Sequence, residues 1–311
     1  MSVLTVGETM VLLDPVGEGG LELGGELRLR VAGAESNFAI ALSRLGVPVT
    51  WVSRLGTDPL GDLVHGALER EGLDLRYVER DADAPTGLFL KWRTGGRTRV
   101  LYYRSGSAAS RLAPRHVPAE ALAGVALVHV TGITLALGVG ARALVAQLAR
   151  SARRAGARVL FDPNWRSPLW RGPREAAAAQ REVLPYVDWY LCGLEEGNLL
   201  FETESAEELV AAVREAGARD AVVRVGERGA LVREEGGSLR EVPPPRLAAV
   251  LDEVGAGDGF AAGFAFGLLR DLAPADCART GNALAAAALR GTGDWETFPY
   301  LHELERLGDA R

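Results

Sequence analysis

Residues 252–263 read DEVGAGDGFAAG, and they decide how the rest of the chain is interpreted. Three small residues at 255–257 and the carboxylate of Asp258 stand where an apolar helix begins, and that helix continues through residues 264–269. Because the first turn of a helix has unpaired backbone N–H groups, this stretch predicts an anion site that fits a phosphate. Asp258 could accept the proton of a hydroxyl group that attacks the bound phosphoryl group. The alternative is a glycine-rich turn in which Asp258 only caps the helix.

Length and composition fit an enzyme with a sizeable hydrophobic core. The 311 residues are 48% hydrophobic, enough for one large α/β domain with an appendage or for two domains. A net charge of -6 argues against nucleic acid or an anionic membrane surface as the main partner. No apolar run has membrane-spanning length, and a strand-like segment at 3–6 opens the sequence, so we expect a cytoplasmic protein. Cys192 and Cys277 are too few for a disulfide framework and are expected to be buried free thiols.

The positive charge of the chain is almost entirely arginine. Lys91 is the only lysine, and Leu90 precedes it, which excludes a Walker-type Gly-Lys-Ser/Thr loop. Phosphate charge must therefore be met by arginine, backbone amides and a metal ion.

Short apolar runs alternate with Ala-, Leu- and Arg-rich stretches of helical periodicity along most of the chain. The runs predict strands at 3–6, 49–53, 126–130, 157–161, 188–191 and 221–225. The stretches between them predict helices such as 141–155 and 174–184. Near-continuous apolar strands with helical crossovers predict an α/β fold, in which helices cover both faces of a central, mostly parallel sheet.

Two segments, at about 20–32 and 86–105, lack helical signals. The second contains two strand-like runs joined across Thr94-Gly95-Gly96, a pattern typical of a hairpin. We expect the two segments to form a small β-sheet lid over the ligand, inserted in a single domain that spans residues 1–311.

Polar side chains stand at two other predicted element ends. Residues 32–41 (AGAESNFAIA) lead small residues into an amphipathic helix with Asn37 in its first turn. The Asn37 amide can bind sugar hydroxyls, or face water as polar residues at helix starts often do. Residues 162–166 (DPNWR) follow a predicted strand, where ligands of parallel α/β sheets bind. Asp162 is the stronger candidate there, since Arg166 alone can be a solvated loop residue.

Together these segments resemble the ribokinase-like, or PfkB, family of carbohydrate kinases over essentially the whole chain. Residues 252–260 are similar to the family's D-T-x-G-A-G-D-x-F, with Glu253 in place of Thr. Residues 32–39 are similar to its G-G-x-x-x-N-x-A, with Ala32 in place of the first Gly, and residues 222–230 (VVRVGERGA) to its nucleotide-binding V-V-T-x-G-x-x-G-A. The resemblance implies a ribokinase-like fold and transfer of a phosphoryl group from ATP to a sugar.

The resemblance also implies roles for particular residues. The implied catalytic group is the base and its anion hole: Asp258, Gly255, Ala256 and Gly257. The implied nucleotide site is Arg224, Gly226, Gly229, Gly255, Gly257 and, near the adenine, Asn282. The implied cofactors are ATP and Mg²⁺, with a monovalent cation as a further expectation. Glu196 is the implied metal residue, although Gly193 stands where the family's N-x-x-E has its Asn.

Two arginines indicate the acceptor. Arg104 ends the hairpin in Tyr102-Tyr103-Arg104, Arg166 follows a strand end, and guanidinium groups bind carboxylates bidentately. The combination Y-Y-R, then D-x-N-x-R, most resembles the branch of the family that phosphorylates 2-keto-3-deoxygluconate, so the implied substrate is a small-molecule sugar acid. The implied contacts are Gly33, Asn37, Phe89, Tyr102, Arg104, Arg166, Asp258 and Asp294. Phe89 stands where such kinases can place a Tyr. The alternative is that both arginines pair with surface carboxylates, which leaves a kinase of a neutral sugar such as fructose or ribose.

Hypotheses from other classes are weaker. Residues 138–143 (GVGARA) match the G-x-G-x-x-A of an NAD-dependent dehydrogenase, but residues 131–137 separate them from the preceding strand. A sugar-binding regulator without turnover would not need the base and anion hole at 255–258. We also expect a homo-oligomer, a dimer or larger, because lid sheets with exposed edges often pair between subunits.

Overall fold

The computed structural model describes residues 1–17, 20–94, 97–234, 236–247, 250–251 and 254–304. The strands are β1 (Ser2–Val6), β2 (Met10–Pro15), β3 (Leu27–Ala32), β4 (Val49–Gly56), β5 (Val78–Asp81), β6 (Leu88–Thr94), β7 (Arg97–Tyr103), β8 (Val125–Thr131), β9 (Arg158–Asp162), β10 (Trp189–Gly193), β11 (Asp220–Arg224), β12 (Ala230–Arg233) and β13 (Leu239–Val242). The helices are α1 (Ala34–Arg44), α2 (Pro59–Arg70), α3 (Gly132–Ala136), α4 (Val139–Arg154), α5 (Pro173–Arg181), α6 (Leu194–Phe201), α7 (Ala206–Glu215), α8 (Ala256–Leu268) and α9 (Pro274–Ala288).

The main sheet has the order β13-β12-β11-β10-β9-β8-β1-β4-β5. Its pairs from β11 to β5 are parallel, and β12 and β13 add antiparallel pairs at one edge. The strands predicted from apolar runs correspond to β1, β4, β8, β9, β10 and β11. The two helices predicted by example correspond to α4 and α5, each within a few residues of its predicted ends.

Apolar side chains on both faces of the main sheet explain why its strands read as continuous hydrophobic runs. In β8, Val128 and Val130 point into a core that includes Leu144 and Leu148 of α4. Leu127, on the other face of β8, packs in the core that is formed with α1, α2, α8 and α9. Burial on both faces is the pattern expected for a parallel sheet joined by helical crossovers. The predicted fold class is confirmed.

A separate four-stranded small sheet has the order β3-β2-β6-β7. The two segments predicted as a lid contribute β3, β6 and β7, and β6 pairs with β7 as an antiparallel hairpin. Gly95 and Gly96 of the predicted hairpin turn lie outside the described residues, as do Asp252 and Glu253 of the motif at 252–263. The prediction missed β2, which lies between β3 and β6 and pairs with both.

Two compositional expectations can be compared with the structure. Cys192 and Cys277 are buried and free, as expected. In the part of the chain that the structure describes, no helix combines the length and the apolar character needed to cross a bilayer.

Candidate active site

A cavity of about 410 Å³ lies between the carboxyl ends of the main-sheet strands and the small sheet. Its walls come from the N-termini of α1 and α8, the loop after β9, the end of β11 and one face of the small sheet. The lining residues are Met10, Ala32, Gly33, Ala34, Asn37, Phe89, Lys91, Val100, Tyr102, Arg104, Ile133, Asn164, Trp165, Arg166, Glu196, Arg224, Val254, Gly255, Gly257, Asp258 and Asp294.

The N-terminus of α8 forms the floor of the cavity. Gly255 is the N-cap with φ 81°, a left-handed conformation, and no side chain caps the helix. A Cβ at position 255 would lie 1.9 Å from the carbonyl oxygen of Asp294, so the turn requires glycine. Asp258 is the third residue of the helix and not its cap, which removes the alternative of a simple Asp-capped turn. The first-turn N–H groups are thus open to an anion.

The Asp258 carboxylate is held by two amides. Asn37 donates to Oδ2 at 2.7 Å, and Asn164 lies 3.4 Å from Oδ1. Burial raises the pKa of Asp258 to about 7, against the hydrogen bond from Asn37, which lowers it, and with the nearby charge of Asp162, which raises it further. A carboxylate with a pKa near neutrality suits a general base.

Asn37 reaches Asp258 because α1 begins close to the cavity. Its N-cap is Gly33, where a Cβ would lie 2.4 Å from the carbonyl oxygen of Glu8. Asn37 is only 2% exposed. The alternative that it is a polar residue facing water at a helix start is therefore excluded. The close packing of Gly33 brings the first turn of α1 against the loop after β1 and directs Asn37 toward α8.

Three charged side chains, from the end of β9, the first turn of α6 and the end of β11, lie close together beside the N-terminus of α8. Arg224 donates to Asp162 Oδ2 at 3.3 Å and to the carbonyl oxygen of Gly257 at 3.2 Å. Its Nη2 lies 3.8 Å from Glu196 Oε2. These two carboxylates raise the pKa of Arg224 although burial opposes them, so its positive charge is fixed beside the anion site.

Glu196, the predicted metal residue, is engaged with the backbone. Its Oε2 accepts the N–H of Gly193 at 3.1 Å, and its Oε1 accepts the N–H of Trp165. Burial, and then the charge of Asp162, raises the pKa of Glu196. Among the described residues, no group of three or more His, Cys, Asp or Glu side chains could hold a metal ion. The geometry therefore offers at most one or two carboxylates to a cation.

The predicted nucleotide residues divide into two groups. Arg224, Gly255 and Gly257 line the cavity, whereas Gly226, Gly229 and Asn282 do not. Gly229 has φ 90°, and a Cβ there would lie 3.0 Å from Asn282 Nδ2. The Asn282 amide is buried and donates to the carbonyl oxygen of Val242 at 2.7 Å, so it holds β13.

The small sheet supplies the opposite wall. Phe89 and Tyr102 face each other across β6 and β7 with ring centroids 5.5 Å apart. The Arg104 guanidinium lies 5.7 Å from the Tyr102 ring centroid and forms an ion pair with Glu8 at 2.5 Å. Arg166 is different: it is exposed at the cavity rim, and its side chain forms neither a hydrogen bond nor an ion pair with the described residues. Its charge lowers the pKa of Asp258.

Sequence reasoning missed two charged residues in or directly behind this cavity. Lys91 is 7% exposed, lines the cavity and places Nζ 3.9 Å from Asp294 Oδ1. Strand alternation would have found it, because Lys91 lies two positions after Phe89 and so shares its face of β6. Glu8 had no comparable signal, since its partner Arg104 is 96 positions away in the sequence.

The fold and the cavity define a class. A helix N-terminus with a nearby carboxylate, at the carboxyl edge of a parallel sheet under a second sheet, is compatible with an enzyme that transfers a phosphoryl group to a small molecule. The pfkB family carbohydrate kinase model matches residues 1–299. The chain belongs to this family and is an ATP-dependent carbohydrate kinase.

Two relatives and one solved structure are similar to the chain over nearly its whole length. The chain is 34% identical over 313 residues to 2-dehydro-3-deoxygluconokinase of Bacillus subtilis (100% of this chain, 96% of the relative). It is 34% identical over 316 residues to 2-dehydro-3-deoxygalactonokinase of Haloferax volcanii (99% and 98%). A solved PfkB protein from Polaromonas sp. JS666 is 35% identical, with a TM-score of 0.88 over 98% of this chain and 99% of that one.

The dehydrogenase hypothesis is wrong. Residues 138–143 lie at the start of α4, and α3 separates them from the end of β8. The glycines therefore do not form the tight turn directly after a strand that dinucleotide binding requires.

Proposed function

We propose that the protein transfers the γ-phosphoryl group of ATP to a hydroxyl group of the sugar acid 2-keto-3-deoxygluconate, giving 2-keto-3-deoxy-6-phosphogluconate. The supporting observation is that one cavity contains both Asp258, beside an open helix N-terminus, and two guanidinium groups, those of Arg104 and Arg166. The name of the Bacillus relative refers to the same acid, since 2-dehydro and 2-keto are synonyms.

Asp258 is the proposed base. Its carboxylate accepts the proton of the terminal hydroxyl group while Asn37 and Asn164 hold it in place. A pKa of about 7 leaves a large deprotonated fraction at neutral pH and still favours proton uptake when the attacking oxygen loses its proton.

The anion hole is proposed to comprise the backbone N–H groups at Gly255, Ala256 and Gly257. These donors are fixed by the helix before any ligand arrives, which is the condition under which they stabilise developing charge most. Arg224 adds a positive charge beside them through its contact with the Gly257 carbonyl oxygen.

The residues present fit ATP and Mg²⁺. Mg²⁺ commonly keeps several water ligands and binds through one or two carboxylates and substrate phosphates, so a site without a three-carboxylate cluster is compatible with it. Asp162 and Glu196 are the carboxylates that would hold it, directly or through water. When bound, ATP and Mg²⁺ supply the phosphoryl group and neutralise its oxygens. The monovalent cation remains a prediction from family resemblance.

The charge of the cavity favours an acid over a neutral sugar. Arg166 has no protein partner among the described residues, and a guanidinium next to a cavity binds a carboxylate bidentately. The aromatic pair Phe89 and Tyr102 would pack against the carbon chain. A kinase of fructose or ribose stays the alternative, because Asn37 and Asp294 can bind neutral hydroxyl groups.

A coupled assay of ADP release tests the proposal. The acceptors are 2-keto-3-deoxygluconate, 2-keto-3-deoxygalactonate, fructose, ribose, adenosine and tagatose 6-phosphate, each with Mg²⁺-ATP. We expect the two acids to give kcat/KM values at least about 100-fold above the neutral sugars, as loss of a charge-assisted contact implies. A preference for fructose or ribose would contradict the sugar-acid proposal. The ratio of the kcat/KM values for the two acids shows whether the enzyme prefers the gluconate or the galactonate series.

We also propose that a second copy of the chain covers the outer face of the small sheet. Strand alternation puts Leu29 and Leu101 on the face opposite the cavity, and they are 54% and 44% exposed. Tyr103 extends this face and is 59% exposed. Such an exposed apolar sheet face is suited to self-association. Sedimentation of the wild type and of Leu29→Arg tests it: a dimer or larger assembly that dissociates in the variant is expected, and a monomeric wild type would contradict it.

The cytoplasmic location stays a prediction.

A further inference from the structure

A buried carboxylate lies directly behind one of the two cavity arginines. Glu8 follows β1, and its side chain is 1% exposed. Its Oε2 lies 2.5 Å from Nη2 of Arg104, and the Ser107 hydroxyl donates to its Oε1 at 2.5 Å. Both partners come from the end of β7 and the turn after it, so Glu8 connects the main sheet to the small sheet beside the cavity.

The space around Glu8 is closed. A Cβ at Gly87 would lie 2.7 Å from Glu8 Oε1, and a Cβ at Gly33 would lie 2.4 Å from the Glu8 carbonyl oxygen. Gly87 thus lets the backbone approach the Glu8 carboxylate, and Gly33 lets α1 pack against the Glu8 main chain. A carboxylate packed this way has little freedom to leave Arg104.

Arg104 is fixed as a consequence. Its side chain is 9% exposed, with the guanidinium against the Tyr102 ring on one side and Glu8 on the other. An arginine side chain without such contacts has many rotamers, and ordering it on ligand binding costs free energy. Arg166 at the rim has no comparable support among the described residues. One arginine is therefore ordered before the ligand binds, and the other can move.

We infer that Glu8 is a positioning residue that holds Arg104 in the orientation that binds the substrate carboxylate. This inference rests on the proposed function, because Arg104 is taken to contact a sugar acid. Glu8 itself does not line the cavity, and its effect on binding passes through the guanidinium. The donors of Arg104 that face away from Glu8 remain for the ligand, since a guanidinium carries five N–H groups in a fixed plane.

Glu8→Gln keeps the shape of the side chain and removes its charge. Without that charge the ion pair is lost and the guanidinium can rotate, so the Kd for 2-keto-3-deoxygluconate should rise about 10- to 100-fold. The kcat at saturating acid should change less than about threefold, because Asp258 and α8 are not involved. The Kd for ATP should stay unchanged. Glu8→Asp keeps the charge on a shorter side chain and should give an intermediate Kd for the acid.

A double-mutant cycle separates action through Arg104 from general damage. Arg104→Met weakens acid binding by itself, and adding Glu8→Gln to it should change the Kd by less than about twofold. Multiplied effects in the double variant would overturn the inference, because Glu8 would then act on the ligand by another route. Thermal unfolding of all variants identifies any loss due to misfolding.

Other outcomes distinguish this inference from the proposed function. If the wild type binds the acid and Arg104→Met weakens binding, an unchanged Kd in Glu8→Gln overturns the role of Glu8 alone. If the wild type binds no sugar acid, the proposed function fails, and crystal structures of the wild type and Glu8→Gln test Glu8 without substrate. A displaced Arg104 guanidinium supports positioning, and an unmoved one overturns it. Should Glu8→Gln not fold, Ser107→Ala removes one partner of Glu8 and should raise the Kd about two- to fivefold; an unchanged Kd would again overturn the inference.

Discussion

The N-termini of α1 and α8 use the same local design with different outcomes. Each helix begins after a glycine, Gly33 or Gly255, without a side-chain cap, and each has one acid in its first turn, Glu35 or Asp258. Burial raises the pKa of both acids. Asp258 lines the cavity and is held by amides. Glu35 has no exposed surface and does not line the cavity.

The partners of Glu35 explain the difference. The hydroxyl groups of Thr131 and Thr134 both donate to Glu35 Oε1 at 2.5 Å, and a Cβ at Gly7 would overlap the Glu35 carboxylate. Glu35 thus connects α1 to the end of β8 inside the protein, where no substrate reaches it. A raised pKa alone does not identify a base; access to the cavity must accompany it.

The largest effect that this comparison predicts is on kcat in Asp258→Asn. The amide keeps the shape but cannot accept the proton, so kcat should fall about 100-fold or more while the Kd for ATP stays within a few-fold. Steady-state kinetics and calorimetry measure the two quantities. More than a tenth of the wild-type kcat in the variant would show that Asp258 is not the base.

The second prediction tests whether the cavity at the N-terminus of α8 binds the carboxylate of a sugar acid. Arg166→Ala removes a guanidinium that has no protein partner among the described residues, so kcat/KM for the sugar acid should fall roughly 30- to 1000-fold. Activity on a neutral sugar should change much less. Arg174→Ala is a matched control, because Arg174 is exposed and pairs with Glu202 away from the cavity. Equal losses on acid and neutral sugar in Arg166→Ala would leave the carboxylate without its proposed partner.

Much of the fold follows from local sequence, and so does the place of the acid in α8. Apolar runs predicted the parallel strands because those strands are buried on both faces, and the small residues before Asp258 predicted the start of α8. The structure brings Asn37, Asp258, Arg104 and Arg166 to one cavity, and their roles remain predictions. Each was visible because it stands at the end of an element.

The features that the sequence did not reveal depend on contacts between distant segments. Strand β2 was missed because one of its two partner strands is β6, more than 70 positions away. The proposed role of Glu8 depends on its ion pair with Arg104. In the sequence Glu35 looks like any acid at a helix start, and only the contacts with Thr131 and Thr134 show its structural role. Local propensity and periodicity contain no information on such pairs.

A third prediction concerns the backbone of α8 and is expected to be smaller. A Cβ at Gly257 would lie 3.0 Å from Arg224 Nη1, so Gly257→Val displaces Arg224 and fills space beside the anion site. The Kd for ATP should rise about tenfold or more by calorimetry. Gly172→Val is the control, since nothing lies within 4 Å of a Cβ at Gly172. An unchanged Kd in folded Gly257→Val would put the phosphates elsewhere.

A fourth prediction uses pH. Because Asp258 must be deprotonated to accept a proton, kcat/KM should rise about tenfold per pH unit below its pKa of about 7 and level off above it. The residual activity of Asp258→Asn should lack this rise. The Glu35→Gln variant should retain it, since Glu35 does not line the cavity. A profile that is flat between pH 5 and 8 in the wild type would contradict both the pKa and the role of Asp258.

The smallest effect on activity is expected at the second acid. Glu35→Gln keeps an oxygen that accepts from Thr131 and Thr134, so kcat should stay within about threefold of the wild type. The substitution should instead change how the stability of the protein depends on pH. The folded-state pKa of Glu35 is raised above its unfolded value, so the folded state binds the proton more tightly and the wild type loses stability as pH rises through the interval between the two values. Glutamine does not titrate, and the variant should therefore show a shallower fall of Tm with rising pH in calorimetric scans from pH 4 to 8. A tenfold loss of kcat in Glu35→Gln with an unchanged Tm would mean that Glu35 takes part in the reaction, and the contrast between the two helix N-termini would no longer hold.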